Sequence, residues 1–340
     1  MNLKSQDSIG LYIATLCLDS MTDTTLSGKT LDDVMRALIE EVEAHGERVL
    51  ATKGWNTEVT GILFEITDPR ARLSRTESRG KPFSCLGELC WYLAKNNKLD
   101  FISYYLSRYE GSADGDEIFG GYGPRLFNLK GLNQVDSVTN LLKRKRTSRQ
   151  AVIQVFDAFD IVAEHKDVPC TCTLQFMIRN DKLYMLVNMR SNDLIKGLPH
   201  DVFCFTMLQE IIARSLSVEV GTYKHAVGSL HIYDDDIKDA KQFIGEGWQL
   251  TEPTMPQMPA GDPWPAISLL VEAELAIRTR SPFEIARLNG IDPYWADLIR
   301  LLQVFRFKQD RSPEGIREVR SKMSSDVYFP FIDKALGRFK

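Results

Sequence analysis

The middle of this chain constrains its fold most: two β-rich segments meet at a tight turn, and a long apolar helix follows them. Cys172 to Ile178 and Leu183 to Met189 flank Asn180-Asp181, a turn dipeptide, and read as a hairpin. Val202 to Leu216 then reads as a helix so apolar that it needs cover on nearly every side. His225 to Tyr233 begins another extended segment. Upstream, Thr57 to Ile66 and Ala151 to Phe156 read as strands, and Leu86 to Leu93 reads as helix interior with Glu88 among apolar neighbours. Thr30 followed by Asp32 and Asp33 reads as a helix cap with acids in the first turn. Val34, Leu38, Ile39 and Val42 continue that helix at its own period, and Gly46 ends it. The expectation is an α/β (α+β) chain with a large mixed sheet packed by helices.

At 340 residues and 44% hydrophobic content the chain can bury a large core. Thr251 to Pro265 holds five prolines and one glycine and reads as a linker or strap. The expected divisions are a variable lead-in over 1–27, a core over 28–249, and a Pro-rich linker with a helical C-terminal extension over 250–340. The formal net charge is −4, without the broad basic excess of nucleic-acid binders. The basic run Lys143 to Arg146 reads as a solvated helix end. No stretch of 18 apolar residues argues for a membrane span, and the short apolar run Ile9 to Leu18 makes a poor secretory signal. The six cysteines (17, 85, 90, 170, 172 and 204) are scattered, so reduced thiols and a cytoplasmic location are expected. Cys170-Thr171-Cys172 lacks the Cys-x-x-Cys spacing, so no metal site is expected.

Polar residues then cluster in apolar surroundings. Cys170 follows Pro169 at the start of a strand, and Arg190-Ser191-Asn192-Asp193 ends the next. His200-Asp201 immediately precedes the apolar helix, and His231 and Tyr233 share one strand face. Together they suit a nucleotide: Arg190 and Ser191 for phosphate, a carboxylate for a base edge, and Cys170 for attack on an electrophilic carbon. Taken singly, each has a plainer reading. Cys170 is a buried small hydrophobe, Asp201 a helix N-cap, His231 a structural residue and Arg190 half of a surface ion pair.

In order, Pro169-Cys170, Gln175-Phe176, Arg190-Ser191-x-Asp193, Gly197-Leu198-Pro199 and Gly228-x-x-His231-x-Tyr233 resemble the thymidylate synthase superfamily. The resemblance runs from about residue 30 to 245. Glu88-Leu89-Cys90-Trp91 resembles the family's helix with a catalytic glutamate, Gly121-Tyr122-Gly123 its tyrosine-glycine turn, and Ser148-Arg149 its arginine segment that crosses to the other subunit. The departures are specific. Thr171 follows the cysteine where histidine is usual, Ser229 follows Gly228 where aspartate is usual, and Asp201 replaces the asparagine that reads uracil. This set is similar to the deoxycytidylate hydroxymethylase branch.

The resemblance implies the thymidylate synthase fold, a homodimer with shared sites, a pyrimidine nucleoside monophosphate substrate and 5,10-methylenetetrahydrofolate. It implies that Cys170 adds to C6 of dCMP or CMP, that C5 takes the one-carbon unit, and that water completes a 5-hydroxymethyl group. Glu88 would transfer protons, Asp201 read the base, and His231 and Tyr233 hold the sugar. Asp193 and Tyr122 would stand on the folate side. Arg190, Ser191 and Arg149 would bind phosphate; Gln150 stands where a second arginine is usual, and Lys53 would compensate. The family's folate-pocket tryptophans have no clear counterpart, with Tyr104, Tyr105 and Tyr109 in that region. The chain also runs on past the family's closing tail. A divergent thymidylate synthase acting on dUMP, a non-catalytic nucleotide sensor and an interaction module are the alternatives.

Overall fold

The computed structural model describes residues 25–250, 254–282 and 290–339. A seven-stranded mixed sheet forms its centre. Its order is Thr25–Gly28 (β1), Gly54–Ile66 (β3), Glu219–Tyr233 (β7), Lys182–Asp193 (β6), Thr171–Arg179 (β5) and Val152–Gln154 (β4), with Glu47–Ala51 (β2) also paired to β3. The expected hairpin is β5–β6, and Asn180 and Asp181 turn it at φ 48° and 54°. Both central residues at positive φ match the right-handed twist of the flanking strands. β6 and β7 run parallel, so the chain must cross over between them, and the apolar helix α6 (Leu198–Ser215) makes that crossing.

The helix α1 (Leu31–His45) opens with a reciprocal Thr30–Asp33 capping box. Gly46 ends it for lack of room: a Cβ there would stand 2.4 Å from the Val42 carbonyl oxygen and 2.5 Å from Thr57. Two expectations need correction. The lead-in's last residues form β1, while its earlier part, with Cys17 and the apolar run Ile9 to Leu18, lies outside the described residues. And α6 begins at Leu198, not near Val202, because Pro199 in its first turn has the helical φ built in. Asp201 is therefore inside the first turn, its amide bonded to the Gly197 carbonyl at 3.1 Å, and is not the N-cap.

The helix α2 (Pro82–Leu93) is buried along nearly its whole length. It packs against α6, against α3 (Leu99–Tyr105) and α4 (Tyr122–Phe127), and against two helices of the C-terminal extension. The extension comprises α8 (Trp264–Thr279), α9 (Pro293–Gln309), α10 (Pro313–Ser321) and α11 (Phe329–Gly337), after α5 (Gln134–Arg144) and α7 (Ile237–Gly245) in the body. The described part of the strap is fastened by polar anchors. The Met255 amide donates to the Arg70 carbonyl at 3.1 Å and the Met258 amide to Glu210 Oε1 at 2.9 Å. Glu210 in turn pairs with Arg72 at 2.5 Å, both fully buried. Losing one member of such a pair costs about 3–5 kcal/mol, since a charge is left buried and alone.

Candidate active site

A cavity of about 460 Å³ opens where the ends of β6 and β7, the first turn of α6, the helix α2 and the segment before β5 converge. Eight of the expected residues line it: Cys170, Glu88, Asp201, Ser191, Asp193, Tyr122, Tyr233 and Lys53. Arg190, Arg149 and His231 are not in its wall.

Cys170 sits one residue before β5. The β5–β6 register slips between Thr171 and Thr173, a bulge that re-aims the side chains beside it. Burial pushes the Cys170 thiol up to about 11, against the pull of Arg190. Arg190 Nη2 lies 3.8 Å from the sulfur. Its Nε and Nη2 also donate to the carbonyls of Pro169 (3.0 Å) and Val168 (2.9 Å). The guanidinium thus grips the turn that carries the thiol. Tyr122 steadies the same segment: its phenol oxygen accepts from the Thr171 amide at 3.2 Å and hydroxyl at 2.9 Å. With that oxygen accepting twice, its proton remains to be donated.

Glu88 projects from α2 with 2% of its surface exposed. Its Oε1 accepts from Tyr109 at 2.8 Å and Tyr92 at 3.2 Å, and Oε2 is buried with no hydrogen-bond partner among the described residues. Burial raises its pKa, opposed by Arg108 and the two phenols. Asp201 Oδ2 accepts from Asn192 Nδ2 at 3.0 Å. Burial, and then the Glu88 carboxyl, push Asp201 up to about 8. Burial thus favours the neutral, protonated form of this carboxyl near pH 7. Asp193 Oδ1 accepts from the amides of Ile195 and Lys196, both at 2.9 Å, leaving Oδ2 for a ligand. His231 is buried, its pKa lowered by burial, and its ring meets Tyr233 edge-on at 4.8 Å. Arg149 lies exposed three residues before β4, its carbonyl accepting from Gln175 at 3.0 Å.

The wall also holds residues that were given no role from sequence: Trp91, Tyr92, Arg108, Asn192, Asp167 and Lys196. Trp91 and Tyr92 had a signal, lying three and four residues past Glu88 and so on its helix face. Arg108, in an isolated 3-10 turn (Ser107–Ser112), had none. Of the three tyrosines expected near the folate, only Tyr109 lines the cavity. Tyr104 and Tyr105 pack instead on Phe305 of α9, at 5.3 and 5.0 Å between ring centres.

The sequence profile of the thymidylate synthase family matches residues 33–259. The chain belongs to the thymidylate synthase family. Among curated relatives, the deoxyuridylate hydroxymethyltransferase of Delftia phage PhiW-14 is 28% identical over 64% of this chain and 64% of its own. That of Bacillus phage SP01 is 32% identical over 62% of this chain and 59% of its own. A putative thymidylate synthase of Methanocaldococcus jannaschii is 36% identical over 37% of this chain and 60% of its own. The chain thus spans about three fifths of each of these relatives. The family match ends before α8, so α8 to α11 lie outside it. Among the described residues no helix is long and apolar enough to cross a membrane, and no cluster of side chains suits a metal.

Proposed function

We propose that this member of the thymidylate synthase family is a pyrimidine nucleotide C5-hydroxymethyltransferase acting on dCMP or CMP with 5,10-methylenetetrahydrofolate. The observation that carries the reading is a carboxyl, Asp201, in place of an amide, in the same wall as Cys170 and Glu88. A neutral carboxyl offers one O–H donor and one acceptor. Cytosine offers the complement, N3 as acceptor and the C4 amino group as donor. Asp201 would do more than bind. Moving its proton toward N3 draws electrons from C6, where the Cys170 thiolate adds, and Arg190 would hold that thiolate beside the base.

The cavity fits a reduced folate. Trp91 and Tyr109 meet edge-on at 5.6 Å to form an aromatic corner, and Asp193 Oδ2 is available to pterin donors. Bound methylenetetrahydrofolate would supply the one-carbon unit. Glu88, clamped through Oε1, would use Oε2 to hold a water and pass its proton. Tyr122 would add a donor to that water network, Tyr233 with His231 behind it would hold the sugar, and Ser191 and Lys53 would meet the phosphate. Arg149 stands away from its own chain's cavity, which supports a homodimer in which it reaches the partner's phosphate site. The half-buried outer face of the sheet, with Leu63, Met177, Tyr184 and Leu186, suits that contact.

A second reading, hydroxymethylation of dUMP, has its own support. A neutral Asp201 turned over can also match the uracil N3–H and O4, and the phage relatives are named for deoxyuridylate. Asp201→Asn separates the two. An amide forms the same bonds but cannot give N3 a proton. On the cytidylate reading, the variant loses at least about tenfold in kcat/KM for dCMP relative to dUMP. An unchanged ratio would refute base activation by Asp201.

A further inference from the structure

Among the described residues, none of α8 to α11 lines the cavity, yet one relay joins these helices to it. Glu274 of α8 is fully buried, and its Oε1 accepts from Tyr105 Oη and Arg278 Nε, both at 2.9 Å. The Tyr105 ring lies directly on α2 at Gly87, where a Cβ would stand 2.2 Å from it. Only glycine permits that approach, and the next residue is Glu88. Tyr105 also closes α3, and the 3-10 turn that follows carries Tyr109, whose phenol donates to Glu88 Oε1 at 2.8 Å. One short segment is therefore fastened at one end to the C-terminal layer and at the other to the carboxylate of the cavity. A hydrogen bond to a buried carboxylate is directional, so it fixes the segment's position in a way that apolar contact alone does not.

We propose that the Glu274–Tyr105 hydrogen bond is a positioning device through which the C-terminal helices hold Tyr109 on Glu88. The inference rests on the reading of Glu88 as the proton-transfer group. Glu88 is faced by Tyr92 of its own helix, Tyr109 and Arg108 of the turn and Asp201 of α6; Glu274 is faced by Arg278, Tyr105 and Cys90.

The test is a double-substitution cycle in the full chain, reading kcat at saturating nucleotide and methylenetetrahydrofolate, with nucleotide Kd measured separately. Tyr105→Phe is expected to lower kcat about tenfold while Kd stays within about twofold, as for a misplaced catalytic group. Adding it to Tyr109→Phe is expected to cost nothing further, since both act through one bond. Glu274→Leu is expected to match Tyr105→Phe, and Glu274→Gln, which keeps an acceptor for the phenol, to retain at least about half of kcat. Losses that multiply, an unchanged kcat in Tyr105→Phe, or equal losses in Glu274→Leu and Glu274→Gln would each overturn the proposal. Glu88→Gln serves as the reference. If it turns over normally, the reading of Glu88 fails and takes this one with it; if it is inactive while Tyr105→Phe is normal, the positioning proposal alone fails.

Discussion

Arg190 lies 3.8 Å from the Cys170 sulfur while bonded to the carbonyls of Pro169 and Val168, so the thiol and its cation are held by the same turn. This geometry reassigns part of a residue expected to serve phosphate alone. Arg190 is the first of the groups that pull the Cys170 thiol down against burial. Replacing it with methionine should push the thiol further up and leave less thiolate at any given pH. Alkylation of Cys170 by iodoacetamide at pH 8 is expected to slow about tenfold, the equivalent of one pKa unit. Cys170→Ser identifies which part of the reaction belongs to Cys170 rather than Cys172. Unchanged alkylation in Arg190→Met would show that the cation does not tune the sulfur.

Asp201 also leaves a signature in stability. Burial raises the pKa of its carboxyl from the ordinary 3.8 to about 8 in the folded state. Between those values the folded state holds a proton that the unfolded state has lost. The stabilisation is therefore complete below the lower value and disappears as pH rises through the upper one. Asp201→Asn removes this dependence. The Tm of the variant minus that of the natural protein is expected to rise with pH across that window. Parallel Tm profiles would mean that Asp201 is not held as a neutral acid.

Arg149 is expected to act in trans. Arg149→Ala and Cys170→Ser proteins should each be inactive, and mixing them should restore activity at roughly a quarter of the sites, because half of the dimers would be mixed and each would carry one intact site. Subunit exchange is checked by mass. No recovery after verified exchange would argue against a shared phosphate site.

The C-terminal helices share one continuous core with the body, including Leu270, Leu298 and Leu302 at 0% exposure. A chain ending at Gln249 would bare the back of α2 and leave the buried Arg72–Glu210 pair without its Met258 donor. Its Tm is expected to fall by at least about 10 °C, with turnover lost. A truncated protein with unchanged melting and kinetics would make the extension a separate unit.

Much of the sheet was legible in the sequence. Asn180-Asp181 marks its hairpin, and the β-rich runs Thr57 to Ile66 and Leu183 to Met189 mark β3 and β6. The cavity was legible where a residue's chemistry clashed with its surroundings, as for Glu88 within α2 or Asp193 at a strand end. It was not legible where tertiary packing alone assigns the role. Arg108 and Asp167 sit in irregular segments whose local sequence gives no period. Tyr105 and Tyr109, four residues apart, face different partners because a helix gives way to a 3-10 turn between them. The start of α6 is missed by one turn because the apolar run begins only at Val202, whereas the first turn is set by Pro199 upstream of it.

Mass spectrometry of the nucleotide product is the most direct measurement. The full-length protein is offered dCMP, CMP and dUMP in turn with methylenetetrahydrofolate. The expected result is a cytidylate product heavier by one CH2O unit, absent with Cys170→Ser, and tetrahydrofolate as the folate product. A product heavier by CH2 alone, accompanied by dihydrofolate, would contradict hydroxymethyl transfer and identify a thymidylate synthase reaction instead.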